Sequence, residues 1–325
     1  MKVYFYTPKR LMPEVLPDPT DFTWKDYSLG IYCWGLLAYN RLQLLGVDCE
    51  FTTELPEEGV IIAHRGCLPD SLIPTRKQVL VCIQADWSRH PFAQLHICQN
   101  HAQTKIQGVP RLERFAVGKT YFVHLWPQPG MTHRDPARGN RFENIMYFGL
   151  ADNLAPELKS EDWKQFCTDN QINWNLVGDP AKWKDYSQVD GVLFARDFEG
   201  KKHINKPATK LYNSWITGAI PICTRESAYV DEINDENDAV LVNGYEDLKQ
   251  QLVALKNDPE RVAKMQQRAA ERAPNYYPEA IAQEWSTIFE QLKQYKMSRL
   301  QYASFMIKRG FSYLLCKSLR WMDRR

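Results

Sequence analysis

Asn205-Lys206-Pro207-Ala208-Thr209-Lys210-Leu211-Tyr212-Asn213-Ser214-Trp215-Ile216-Thr217-Gly218-Ala219-Ile220-Pro221-Ile222 is the stretch that decides the fold. Pro207 and Thr209 suit the first turn of a helix. Gly218 suits its C-terminal stop, and 219–223 is an apolar run of strand length. A helix that turns at once into a buried strand is half of a parallel α/β unit. The start of such a helix has unpaired N–H groups and the positive end of the helix dipole, so it can hold a phosphate. Lys206 and Lys210 flank that start, and four residues apart they share one face of a helix.

The neighbouring turns fit the same chemistry. Arg225-Glu226-Ser227-Ala228-Tyr229 follows the strand as a strand-to-loop-to-helix turn, placed for backbone amides to reach a diphosphate. Glu232 falls eleven residues after Pro221. Upstream, Arg196 stands just after the strand pattern 189–194, at the carboxyl end where open α/β sheets bind ligands.

The alternation extends outward from there. In the second half, strand patterns at 144–150, 174–177, 189–194, 219–223 and 239–242 alternate with helical ones at 161–168, 209–217 and 246–256. In the first half, strands are expected at 2–6, 49–51, 60–63, 79–83, 95–99 and 121–124, with a helix over 27–45 stopped by Gly46. Proline-rich residues from Trp126 to Arg141 read as an extended connector. Residues 259–295 read as helical, interrupted at Pro274 and Pro278, and a last helix starts at Met297. The expected fold is α/β, with two Rossmann-like domains facing each other across a cleft. The expected bounds are 1–140 for an acceptor domain, 141–275 for a nucleotide-sugar-binding domain, 276–296 for a helix packing back on the domains, and 297–325 for a basic amphipathic tail.

Over about residues 144–256 the sequence resembles the nucleotide-sugar-binding half of GT-B glycosyltransferases, most closely the family 4-like group. The likeness rests on Gly218-x-x-Pro221, Glu232 and Ala239-Val240-Leu241-Val242; over the first half it is architectural. The chain departs from the family pattern at three places. Asn205 and Asn213 stand where the family often has two glutamates, Ser227-Ala228-Tyr229 replaces a Gly-Gly pair, and Leu150-Ala151-Asp152 follows Gly149 in place of a basic residue. Arg196 is the candidate replacement for that cation. The resemblance implies transfer of a sugar from a nucleotide-diphosphate sugar to a hydroxyl of a glycan or lipid-linked acceptor. The donor-binding candidates are Arg196, Lys206, Thr209, Lys210, Asn213, Glu226, Ser227, Ala228, Tyr229 and Glu232. A base for the acceptor hydroxyl is sought where first-half strands end, at Asp26, His64 and Asp86. Asp26-Tyr27-Ser28-Leu29-Gly30 looks like the loop entering the first helix of GT-B folds. The asparagines leave open a second reading, a catalytically degenerate binding or scaffold protein of the same fold.

Charge and composition narrow the classes. The chain has 325 residues, 44% hydrophobic and 25% charged, a globular balance with the length of two domains. Its net charge of +2 divides unevenly, because residues 291–325 hold nine Lys/Arg against one acid. A net of +8 there leaves −6 for the rest, and such asymmetry points to an anionic partner. On a helical wheel Leu300, Ala303, Ile307, Phe311 and Leu314 share one arc, with Gln301, Lys308, Arg309 and Ser312 opposite. An anionic membrane surface fits this pattern better than nucleic acid. No run approaches the ~20 apolar residues of a membrane span, and the start lacks a signal-peptide core, so a cytoplasmic, peripherally membrane-associated protein is expected. The eight cysteines form no C-x-x-C pair and read as buried thiols. No G-x-G-x-x-G, P-loop, D-x-D or H-x-x-x-H pattern is present, so a dinucleotide oxidoreductase and a P-loop NTPase are disfavoured. No metal or other cofactor is expected.

Overall fold

The computed structural model describes residues 1–17, 27, 29–105 and 118–322. The chain divides into two compact units. The first holds the chain up to Val123, apart from a short segment before Leu29, and is rejoined at Ile281; the second holds His124–Ala280. Residues 124–140 therefore belong with the second unit, earlier than the bound at 140.

The first unit carries β1 (Val3–Tyr6), helix α1 over 30–44, β2 (Glu50–Thr52), β3 (Gly59–His64), β4 (Gln78–Ile83), β5 (Leu95–Cys98) and β6 (Lys119–Phe122). All pair in parallel in the order β2-β1-β3-β4-β5-β6. Every residue of β3, β4 and β5 is buried, as expected for parallel strands covered on both faces. The strand expected at 121–124 lies two residues earlier, so His124 falls outside it.

The second unit holds β7 (Asn144–Phe148), α2 (Glu161–Asp169), β8 (Asn173–Val177), β9 (Gly191–Phe194), α3 (Thr209–Thr217), β10 (Ile220–Thr224), α4 (Ser227–Glu232), β11 (Val240–Val242), α5 (Tyr245–Lys256) and α6 (Pro259–Arg272). Its sheet is also parallel, in the order β11-β10-β9-β7-β8. One face packs on Trp163, Leu248, Leu252, Leu255 and Met265. The other packs on Leu211, Trp215, Tyr229 and Tyr276. Helices on both faces make it doubly wound, and Gly218 closes α3 in the left-handed conformation at φ 78°. The connector is pinned by a buried charge cluster. Asp190 accepts from Arg134 and Arg138, both at 2.7 Å, and from the backbone N–H groups of Glu143 and Asn144.

Two helices follow, α7 (Pro278–Gln294) and α8 (Arg299–Met322). In α7, Trp285 packs on Phe5 and Trp34, with ring centroids 5.5 and 6.4 Å away. In α8, the Tyr302 hydroxyl donates to the Pro74 carbonyl at 2.8 Å, and Tyr313 meets Phe92 at 5.5 Å. The wheel placed Arg309 on the solvated arc; instead it is buried, donating to the Ala93 carbonyl at 3.1 Å. It lies about 180° from Leu300 on the helix, which is the direction of the sheet. Among the described residues no helix is long and apolar enough to cross a membrane, and seven free cysteines are all buried.

Candidate active site

The second sheet reverses its strand order between β7 and β9, which opens a crevice at their carboxyl ends. Five side chains meet there. Arg196, just beyond β9, is ion-paired with Glu226 after β10, and its Nη1 lies 3.3 Å from the Tyr229 hydroxyl of α4. Lys210, in the first turn of α3, holds its Nζ 4.0 Å from the ring centre of Tyr147 at the end of β7. Gly149 permits this: a Cβ there would lie 2.7 Å from the Tyr147 hydroxyl, which donates to the Leu150 carbonyl at 3.2 Å.

The electrostatics are unbalanced. Burial, then the nearby Arg196 guanidinium, pushes the Lys210 ammonium down to about 7. Burial raises the Glu226 carboxyl, against the pull of Arg196. One Glu226 oxygen takes the ion pair, while Oε1 is buried with no hydrogen-bond partner among the described residues. Beside this group, His203 Nε2 lies 2.6 Å from Asp197 Oδ2. Asp197 also accepts from the N–H groups of Glu199 and Lys201, and these bonds hold its carboxyl below the usual range despite burial. Arg196 and the protonated form of Lys210, held together in a partly desolvated crevice, make a place where an added anion gains more than it would in water, while the unused Glu226 oxygen is set to accept a hydrogen bond from a hydroxyl.

The other donor candidates divide. Lys206 precedes α3, in a turn closed by its own N–H on the His203 carbonyl at 2.9 Å, so it shares no helical face with Lys210. Thr209 opens α3, with its Oγ1 3.1 Å from the Tyr212 hydroxyl. Asn213 is buried and turned inward, its Oδ1 accepting the Gln128 N–H at 3.3 Å. The Ser227 N–H is donated to the Lys202 carbonyl, and that of Tyr229 to the Glu226 carbonyl. Ala228 is buried against the sheet. Glu232, at the far end of α4, forms a separate cluster: Oε1 lies 2.9 Å from His124 Nε2, and Oε2 accepts from the Tyr276 hydroxyl at 2.7 Å.

The remaining candidates precede the second unit's sheet in the chain. His64 ends β3, is buried, and its Nδ1 accepts the Gly66 N–H at 3.1 Å. That bond leaves the ring proton on Nε2, and burial pushes the imidazole down to about 4, so His64 is poorly set up to accept a proton. Asp86 is exposed and accepts from Gln99 Nε2 at 2.7 Å. Asp26 lies outside the described residues. Among the described residues no three His, Cys, Asp or Glu side chains are grouped to hold a metal ion.

Sequence reading missed Tyr147, Asp197, His203, His124 and Tyr276. Tyr147 had a signal, since it stands two residues before a glycine that ends a strand. His124 and Tyr276 reach Glu232 through tertiary contacts that leave no spacing in the sequence, whereas Asp197 and His203 pair six residues apart within one loop, outside any helical or strand period.

No family model and no curated protein matches the chain. Solved structures do. A TarM variant of S. aureus, in complex with fondaparinux, alpha-GlcNAc-glycerol and UDP, is 13% identical over 78% of this chain and 58% of its own, with a TM-score of 0.51. Anabaena HepE in complex with UDP is 12% identical over 79% of this chain and 83% of its own, TM-score 0.49. AviGT4, a glycosyltransferase involved in avilamycin A biosynthesis, is 11% identical over 90% and 98%, TM-score 0.47. The chain spans less than two thirds of the length of TarM. At this identity the likeness is one of fold, and the fold is the two-unit α/β architecture of GT-B glycosyltransferases.

Proposed function

We propose that the protein is a glycosyltransferase that moves a hexose from a nucleotide-diphosphate sugar to an acceptor hydroxyl, without a metal ion. The observation that carries this reading is the convergence of Arg196 and Lys210 at the switch point of the second sheet. As the bond between the sugar and the diphosphate breaks, negative charge develops on the leaving oxygen. A guanidinium and an ammonium held in a partly desolvated site stabilise that charge. An arriving diphosphate also restores the proton that Lys210 tends to lose, which makes its cation available when the donor is bound. On the acceptor side the exposed Asp86 is the better candidate base, because His64 is already committed at Nδ1. The basic segment 297–325 fits an acceptor presented at an anionic membrane surface, lipid-linked or part of a surface polysaccharide, with the protein working from the cytoplasm.

A donor-release assay with UDP-, GDP-, ADP- and dTDP-sugars, with membrane extract as acceptor, tests the reading. Turnover of one donor supports it. Turnover of none removes it. The inward-facing Asn213 and the engaged Ser227 amide favour a second reading, a binding protein that retains the fold. Donor binding without turnover is its signature.

A further inference from the structure

The first unit has a cavity of about 380 Å³ between α8 and the amino ends of β5 and β6. It lies at the opposite end of the strands from His64 and Asp86. Lys119, Lys308 and Arg309 line it together with Gln301, Ser304 and Tyr295, and no acid is among the described residues that line it. Arg309 is only 7% exposed, and among the described residues no carboxylate is ion-paired with it. Arg89 adds a second positive charge nearby, and burial, then Arg89, pushes the Arg309 guanidinium down to about 10. Its place is cut out by backbone: a Cβ on Gly118 would lie 2.1 Å from the Gln94 carbonyl oxygen and 2.9 Å from Arg309 Nη2. A buried guanidinium without a counter-ion is costly, and an anion offsets that cost.

The helix supplies the second half of the observation. At about 100° per residue, Gln301, Ser304 and Lys308 lie between the buried side at Arg309 and the stripe of Leu300, Ala303 and Ile307. Leu300 is 84% exposed and Ile307 72%. The basic cavity thus opens beside an exposed apolar stripe, which is the amphipathic outline of one phospholipid.

We propose that this cavity binds the phosphate of a membrane lipid headgroup, with the acyl chains lying along Leu300 and Ile307. The proposal rests in part on the membrane reading of the tail and is independent of the donor site. The test is flotation of the full chain with vesicles of an uncharged, phosphate-free glycolipid containing phosphatidic acid, and with vesicles of the same glycolipid given equal charge by a fatty acid. Binding is expected to the first and to be at least about tenfold weaker to the second. The double variant Lys119→Glu, Lys308→Glu changes exposed side chains and is expected to lose at least about tenfold in affinity. The charge-matched Lys296→Glu, Arg299→Glu, outside this cavity, is expected to lose much less, and glycerol 3-phosphate is expected to compete. Equal losses in both double variants, or equal binding to both vesicle types, would leave the tail's general membrane attraction standing and overturn the pocket. Binding of glycerol 3-phosphate without vesicle binding would overturn the lipid assignment in favour of a soluble phosphate. Affinity for nucleoside diphosphates, measured on the same variants, is expected to stay unchanged.

Discussion

The sheets of the two units treat buried polar groups differently, with the buried Arg309 of α8 the first unit's own charged exception. The first buries His64, His90 and His96, and burial lowers the pKa of all three, His64 and His90 to about 4. Such rings are neutral scaffold at physiological pH. The second keeps its charges: Arg134 and Arg138 converge on Asp190, and Arg196 pairs with Glu226 beside Lys210. One of these charged groups is closed and the other is not. Around Asp190 both carboxylate oxygens are fully used, whereas at the switch point a Glu226 oxygen is unused and Lys210 is pushed towards neutrality. A closed cluster holds the fold, and an open one at the carboxyl ends of strands is where a charged ligand gains most.

The closed cluster gives the largest expected effect. Asp190→Ala strands two buried arginines and removes the acceptor for two backbone N–H groups, so a loss of ~3–5 kcal/mol is expected in urea unfolding. A loss under ~1 kcal/mol would break the claim that this charge is structural. The first unit is expected to answer to acid instead. For His64 and His90 the folded state binds fewer protons than the unfolded between about pH 6.5 and 4. Stability is therefore full above that window and lost as pH falls through it, by up to ~3 kcal/mol for each ring. Histidine NMR resonances that titrate near 6.5 in the folded protein would contradict this.

A smaller effect tests the packing behind the open cluster. Gly149→Ala places a methyl 2.7 Å from the Tyr147 hydroxyl, and a loss of ~1–3 kcal/mol is expected, with weakened donor binding as Tyr147 shifts under Lys210. Unchanged donor affinity would show that the Tyr147 ring does not position the lysine. The smallest expected signal is a proton. Lys210, pushed down to about 7, is mostly deprotonated at pH 8, so binding of a diphosphate is expected to take up close to, but no more than, ~1 proton. Calorimetry in buffers of different ionisation enthalpy reads this directly, and zero uptake would remove the coupling.

Much of the fold was legible because central strands such as β4 are apolar along most of their length and helices end at marked stops such as Gly46 and Gly218. The positions of candidate side chains were legible where they follow from the backbone, as with Arg196 beyond a strand end and Lys210 in a helix first turn. Lys206 was misplaced because α3 starts at Thr209, after the proline, so a spacing of four residues does not make a shared face there. Helix spacing does not reveal that Asn213 is the polar residue that turns inward to hold the connector at Gln128. Arg309 was read as solvated for a similar reason. Its burial depends on the glycine at 118, almost two hundred residues away in the chain.

The central claim is that the open cluster of the second unit receives a diphosphate. Calorimetric titration of the full chain with nucleoside di- and monophosphates, repeated on Lys210→Ala, tests it most directly. The donor assignment predicts that one nucleoside diphosphate binds at least about tenfold tighter than its monophosphate, and that Lys210→Ala removes most of that preference. No diphosphate binding, or a preference that survives in Lys210→Ala, would contradict it.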